Sequence, residues 1–173
     1  VFGAQRSARA ASDADVQAAA ASLGHARVSL AAEVALTTLE LRGLQTRLAL
    51  AQDNLAKQRE ALQLTEWRVQ AGLASSLELA QGRSAVEQTR AALPALDTAI
   101  RQSWNALAVL TGQPPGTLQR ADTAPAPLPQ PPEGLGLSFP ADTLRQRPDV
   151  RVADQRVLAA RARDQLADAN RYP

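Results

Sequence analysis

The stretch that decides the fold is residues 23–69, LGHARVSLAAEVALTTLELRGLQTRLALAQDNLAKQREALQLTEWRV, which contains no proline. Its apolar residues recur at spacings of three, four and seven, which keeps them on one narrow stripe of an α-helix, as in coiled coils. The members of this first seam are Leu23, Leu30, Val34, Leu41, Leu44, Leu48, Ala51, Leu55, Leu62 and Val69. The proline-free run reaches from Gly3 to Ala71. At about 1.5 Å per residue it predicts a helix of roughly 100 Å, which is too long for a compact catalytic domain.

A chain reversal is predicted directly after this run. Gly72 supplies the left-handed conformation that ends many helices. Ser75 or Ser76 can then cap a second helix, and Glu78 suits its positive end. A helix end followed so closely by a helix start predicts an antiparallel hairpin with its tip at residues 71–76.

The second helix carries a seam of its own, whose members are Leu79, Gly82, Val86, Thr89, Leu93, Leu96, Ile100, Ser103, Leu107 and Leu110. It is expected to end near Thr111, because the sequence GQPPG at 112–116 cannot continue a helix. Pro94 lies inside the seam, and we expect it to bend the helix without ending it.

The hairpin pattern stops at Gly112, and two interpretations of residues 112–140 stay open. The prolines, among them Pro125, Pro127, Pro129, Pro131 and Pro132, fit either an extended polyproline-like segment or a disordered linker. Helical signals return at Asp142, and Pro148 suits the first turn of a last helix that should reach Asn170. Its buried side is predicted to contain Val150, Val157 and Leu158.

The predicted fold class is therefore all-α, a long antiparallel helical hairpin with a Pro-rich irregular segment and a third helix. Its predicted regions are the hairpin at 1–111, the Pro-rich segment at 112–147 and the returning helix at 148–173. The chain starts at Val1 and ends at Pro173, and we expect it to be a fragment of a longer protein.

Composition argues against several classes of function. The 173 residues include no Cys and a single His, so neither a disulfide nor a Cys/His zinc site is expected. The net charge of +2 gives no reason to expect nucleic-acid binding. No Gly-rich phosphate loop is present, and Asp13 and Asp15 fall on a helix face without a predicted pocket. We therefore expect no enzyme activity and no cofactor.

Four stretches resemble the TolC-like outer membrane efflux proteins, in particular the lipoprotein branch that serves resistance-nodulation-division (RND) pumps. In chain order they are VFG at 1–3 with Arg6 and Arg9, RVQAGLAS at 68–75, NALAVLTGQPPG at 105–116, and RQRPDVR at 145–151 followed by Tyr172-Pro173. Their order and spacing match one structural repeat of that family, so the resemblance covers nearly the whole chain.

The resemblance implies a homotrimer in which a β-barrel in the outer membrane continues into an α-helical barrel in the periplasm. This chain would be the periplasmic part of the first repeat, with the Pro-rich segment at the equator of the barrel. The implied partners are an inner-membrane RND pump and a periplasmic adaptor protein. The residues implied to contact the adaptor are Arg68, Val69, Gly72, Leu73, Ala74 and Ser75 at the tip.

Other interpretations remain open on the sequence alone. The tip could serve only to reverse the chain. The hairpin could also belong to a periplasmic adaptor protein, although an adaptor should flank it with Gly- and Val-rich strands. A generic coiled-coil scaffold is the third alternative.

Overall fold

The computed structural model describes residues 3–118, 129 and 141–171. Four helices make up this part of the chain: α1 (Ala4–Gln70), α2 (Ser76–Leu110), α3 (Ala141–Arg145) and α4 (Pro148–Ala169). The predicted all-α class is confirmed, and the ends of α1, α2 and α4 fall within a residue or two of their predicted positions. Most of the Pro-rich segment and the final Tyr172-Pro173 lie outside the described residues, so the interpretations placed on them stay predictions.

The chain divides into two compact units, and α1 contributes residues to both. The hairpin unit is Glu33–Gln130, and the terminal unit combines Val1–Ala32 with Pro131–Pro173. No helix in the described residues is long and apolar enough to cross a membrane.

The hairpin unit is held together by the two predicted seams. Leu41 and Leu55 of α1 are buried, as are Val86 and Leu107 of α2. Every predicted seam position of α2, from Leu79 to Leu110, is buried or half-buried. The heptad prediction is therefore confirmed in this unit, where α1 and α2 run antiparallel.

The small seam residues bring the two helices close together. A Cβ atom added to Gly82 would lie 3.1 Å from Cδ1 of Leu62, closer than packed carbon atoms normally approach. Ser103 is buried, and its hydroxyl donates to the carbonyl of Ala99 one turn earlier in α2, at 3.1 Å. Its polar atom is thus satisfied within the helix.

The first seam does not continue into the terminal unit as predicted. Leu23 and Leu30 are 54% and 45% exposed, whereas Ala11, Ala14 and Ala18 are buried. The prediction that these two leucines lie on the buried seam of α1 is wrong for this chain. The side of α1 that is buried in this unit is the one formed by the alanines, because α4 can pack closely on small side chains. At about 100° per residue, Leu23 and Leu30 fall on a different side of the helix.

The buried side of α4 also differs from the prediction. Val157 and Leu158 are about half exposed, whereas Ala159 and Ala162 are buried. Because each residue turns the helix by about 100°, burying Ala159 turns Val157 away from α1. Leu158 lies at the edge of the contact, where it lines an open groove with Ala10 and Ala14 of α1. Val150 is half-buried, in accord with its predicted side.

Two contacts fix how α4 lies along α1. Near its start, Pro148 Cβ would lie 3.7 Å from a Cβ atom added to Gly24. Near its end, Arg163 Nη2 lies 2.6 Å from Asp15 Oδ2. Asp15 therefore lies on an exposed face of α1, with its side chain 50% exposed, and pairs there with a second helix.

The first turn of α4 is stabilised by a two-pronged ion pair. Arg147 precedes the helix with extended backbone, and Pro148 occupies its first turn as predicted. Arg147 Nε donates to Asp149 Oδ1 at 3.1 Å, and Arg147 Nη2 donates to Asp149 Oδ2 at 2.8 Å. The hydrogen bond from Arg147 lowers the pKa of the Asp149 carboxyl below its ordinary value.

Substitutions at two helical glycines should distinguish the effect of close packing on the free energy of unfolding from the effect of helix propensity. Gly82→Leu should lower the free energy of unfolding by about 1–3 kcal/mol, because its side chain must displace Leu62. Gly43→Leu, where an added Cβ meets nothing within 4 Å, should raise it by up to about 1 kcal/mol, since Gly is a poor helix former. Urea unfolding followed by circular dichroism would measure both. Equal effects at the two positions would contradict the close approach at Gly82.

The Arg147–Asp149 pair should contribute stability that depends on pH. Because the folded-state pKa of Asp149 is lowered, this contribution is complete above the unfolded-state pKa and is lost as pH falls through the folded-state value. The free energies of unfolding of the wild type and of Asp149→Asn should therefore converge on acidification. Asp168→Asn is the matched control, because Asp168 meets Arg171 through one contact of 3.5 Å at the other end of α4. A difference between wild type and Asp149→Asn that stays constant with pH would contradict the assignment.

Candidate functional site

The tip of the hairpin is formed by the end of α1, the turn and the start of α2. The amide of Gly72 donates to the carbonyl of Val69 at 3.0 Å, and the amide of Leu73 donates to the carbonyl of Arg68 at 2.7 Å. Together these bonds are the Schellman motif, which satisfies carbonyls at a helix end. Gly72 has a φ of 73°, the left-handed conformation that this motif requires and that the sequence predicts.

The start of α2 is capped by Ser75, one of the two serines that the sequence offered as a cap. Ser75 has extended backbone, and its side-chain oxygen accepts from the amide of Glu78 at 3.2 Å. Ser76 is the first residue of the helix. Arg68 in the last turn of α1 and Glu78 in the first turn of α2 each place a favourable charge at a helix end.

The six residues predicted for adaptor contact all lie within residues 68–75 of this tip. Arg68 and Val69 belong to the last turn of α1, and Gly72, Leu73, Ala74 and Ser75 follow in the turn. Arg68, Gly72, Leu73 and Ser75 are exposed, whereas Val69 and Ala74 are half-buried. Leu73 is 70% exposed and therefore contributes little to the hairpin core.

Two further apolar side chains near the tip were not in the predicted set. Trp67 is 57% exposed and Leu77 is 65% exposed. Each lies two residues before a seam position, Val69 and Leu79, so helical geometry turns it about 200° away from the buried side. That offset is readable in the sequence and could have identified both residues as surface apolar groups.

A side-chain ion pair connects the two helices a short distance behind the tip. Arg83 Nη2 of α2 lies 3.0 Å from Glu66 Oε1 of α1. Sequence reasoning missed this pair, because the partner of a charged residue on another helix depends on the stagger of the two helices.

The titratable residues considered in the sequence do not assemble into a reactive site. His25 is exposed on α1, and Asp15 is paired with Arg163. Among the residues that the structure describes, no group of three or more His, Cys, Asp or Glu side chains is placed to hold a metal ion. The tip instead presents the exposed apolar side chains of Trp67, Leu73 and Leu77 on a turn that two backbone hydrogen bonds close.

Comparison with known proteins identifies the family. Residues 1–113 match the family model described as outer membrane efflux protein, and the chain belongs to this family. It is 36% identical over 174 residues to the probable efflux pump outer membrane protein SepC of Pseudomonas putida, an alignment that covers 100% of this chain and 35% of that protein.

Solved structures extend the comparison to the fold. The outer-membrane channel OprN superposes with a TM-score of 0.91 and 36% identity, over 98% of this chain and 38% of that chain. The outer membrane protein VceC of Vibrio cholerae superposes with a TM-score of 0.81 and 26% identity, over 98% of this chain and 39% of that chain. This chain thus spans little more than a third of the length of these relatives, which carry the names of efflux or outer membrane proteins and not of enzymes.

The turn should depend on the conformation of Gly72 and not on the space around it. Gly72→Ala should lower the free energy of unfolding by about 1–2 kcal/mol, because a Cβ atom is strained at positive φ although it would meet no atom within 4 Å. Gly43→Ala is the control, since the same added methyl group in a right-handed helix should be stabilising. Thermal unfolding of both variants would test this, and a Gly72→Ala variant as stable as Gly43→Ala would exclude strain at the turn.

Proposed function

We propose that this chain is the periplasmic α-helical wall segment of an outer membrane efflux duct that exports small molecules. The observation that carries the proposal is the superposition of 98% of the chain on the outer-membrane channel OprN, at a TM-score of 0.91. The complete protein would contain two such repeats and the membrane β-barrel, in keeping with the greater length of its relatives.

The proposed mechanism is passive. Polar and charged helix faces line a wet channel, and an inner-membrane RND pump drives the substrate through it. Within each unit, exposed aliphatic side chains of α1, such as Leu23, Leu30 and Leu50, are available to seal neighbouring helices. In this proposal the neighbours are the second repeat and the other protomers of a homotrimer, because an exposed apolar stripe favours association.

The tip is the proposed contact with a periplasmic adaptor protein. Two backbone hydrogen bonds close its turn, and Leu73 is exposed there, next to Gly72 with its positive φ. An apolar side chain on a rigid turn loses little conformational freedom when a partner covers it, which favours its use in binding. The contact set is Arg68, Val69, Gly72, Leu73, Ala74 and Ser75.

The adaptor-hairpin alternative is not favoured, because the family match and the structural superposition both lead to outer membrane proteins. A generic coiled-coil scaffold explains neither the family match nor the structural superposition. Lipidation of the complete protein and its location in the outer membrane remain part of the proposal.

Replacing Leu73 with Asp in the intact protein that contains this chain should weaken adaptor binding and reduce efflux. Removing one exposed leucine costs the fold little, whereas a carboxylate resists burial against a partner. Binding to the purified adaptor, efflux of a fluorescent substrate and thermal unfolding would be measured together.

The matched control is Val109→Asp, which places the same charge on a side chain that is 73% exposed and distant in sequence from the tip. It should leave adaptor binding unchanged. If Leu73→Asp binds the adaptor and exports substrate as the wild type does, the turn only reverses the chain. If Leu73→Asp unfolds the hairpin, Leu73 belongs to the core and the contact lies elsewhere.

A further inference from the structure

The ion pair between Glu66 and Arg83, the cross-hairpin pair, differs in kind from other ion pairs of the hairpin unit. Its partners are 17 residues apart and belong to different helices, with 3.0 Å between Arg83 Nη2 and Glu66 Oε1. The pairs Asp53–Lys57 and Asp97–Arg101 each lie within one helix and span a single turn. Only a pair between helices can resist their separation.

The close approach of the helices explains why the pair forms at this level. Leu62 and Glu66 are one turn apart on the same face of α1. Opposite them, Gly82 has no side chain, and a Cβ atom there would lie 3.1 Å from Leu62 Cδ1. Arg83 follows directly and reaches Glu66, whose side chain is 37% exposed. The glycine and the ion pair therefore act at one position along the hairpin.

Little apolar burial holds the helices together beyond this position. Between the cross-hairpin pair and the turn, the seam contributes Val69 and Leu79, both half-buried. Trp67, Leu73 and Leu77 are exposed. Helix ends with few buried contacts open locally at low free energy, so a single interaction there has a larger share of local stability than in the middle of a seam.

We propose that Glu66 and Arg83 are positioning residues for the tip. The proposal assigns them no contact of their own with the adaptor. By joining α1 to α2 immediately behind the turn, they hold residues 67–82 as one rigid end and keep Leu73 in a fixed place. The consequence for adaptor binding rests on the proposed function of the tip, whereas the effect on tip rigidity does not.

Charge reversal in the intact protein tests the proposal through local opening. Glu66→Arg or Arg83→Glu should speed hydrogen exchange of the amides of Gly72, Leu73 and Glu78 by about two- to fivefold, the range that a partly exposed ion pair supplies. The double variant Glu66→Arg/Arg83→Glu should restore slow exchange, since it re-forms the pair with exchanged charges. Adaptor binding and efflux would be measured on the same three variants.

Two controls separate positioning from a general loss of stability. Asp97→Arg disrupts an ion pair within α2 and should leave exchange at the tip unchanged. The amides of Gly112 and Gln113, which close an equivalent motif at the other end of α2, should exchange at wild-type rates in every variant.

The outcomes distinguish this inference from the proposed function. Faster tip exchange that the double variant reverses, with adaptor binding changing in parallel, supports both. The same exchange pattern with unchanged adaptor binding and efflux supports positioning and overturns the proposed role of the tip. Unchanged tip exchange in the single variants, or a double variant that fails to restore it, overturns the positioning role.

Discussion

The structure depends on the antiparallel packing of α1 against α2. A helix of 67 residues cannot bury an apolar stripe against itself, so the stripe is stable in water only where a second helix covers it. Leu41 and Leu55 on one side and Val86 and Leu107 on the other provide that cover in the hairpin unit. The reversal at Gly72 brings the second helix back along the first.

Side-chain size decides how closely each pair of helices packs. In the hairpin unit, larger aliphatic residues alternate with small ones, and Gly82 marks a point of close approach to Leu62. In the terminal unit, the contact between α1 and α4 is built from alanines, with Ala159 fully buried. Alanine side chains are all alike and define the position of α4 along α1 poorly. The Arg163–Asp15 pair and the close approach of Pro148 to Gly24 define that position at two points.

Long helices with limited cover leave apolar groups exposed, and this fits a wall segment better than a self-contained domain. Leu23, Leu30 and Leu50 on α1 are exposed in the single chain. The family to which the chain belongs, and its superposition on outer membrane channels over nearly its full length, support the proposal that these groups contact other helices. The tip differs from these helix faces, because its exposed apolar side chains surround a turn that backbone hydrogen bonds close.

The sequence by itself determined the helices, their ends and the reversal. These features depend on neighbours along the chain: the period of Leu41 to Leu62, the positive φ available to Gly72, the cap offered by Ser75 and the fixed φ of Pro148. The six predicted tip residues lie together at the reversal for the same reason, within residues 68–75. Their contact with an adaptor is a separate matter that the sequence raised only through a family resemblance.

Only the tertiary structure decided which side of α1 is buried in the terminal unit. Leu23 and Leu30 continue the seam pattern, yet α4 packs on a different side of α1, formed by Ala11, Ala14 and Ala18, and both leucines are exposed. Val157 and Leu158 of α4 stay about half exposed, because the small side chains of Ala159 and Ala162 are the ones that are buried. The sequence could not predict the ion pairs Glu66–Arg83 and Asp15–Arg163 either, because both depend on how two helices are staggered along one another. Periodicity reports which residues share a face of one helix, whereas the closeness of approach between two helices selects the face that is buried.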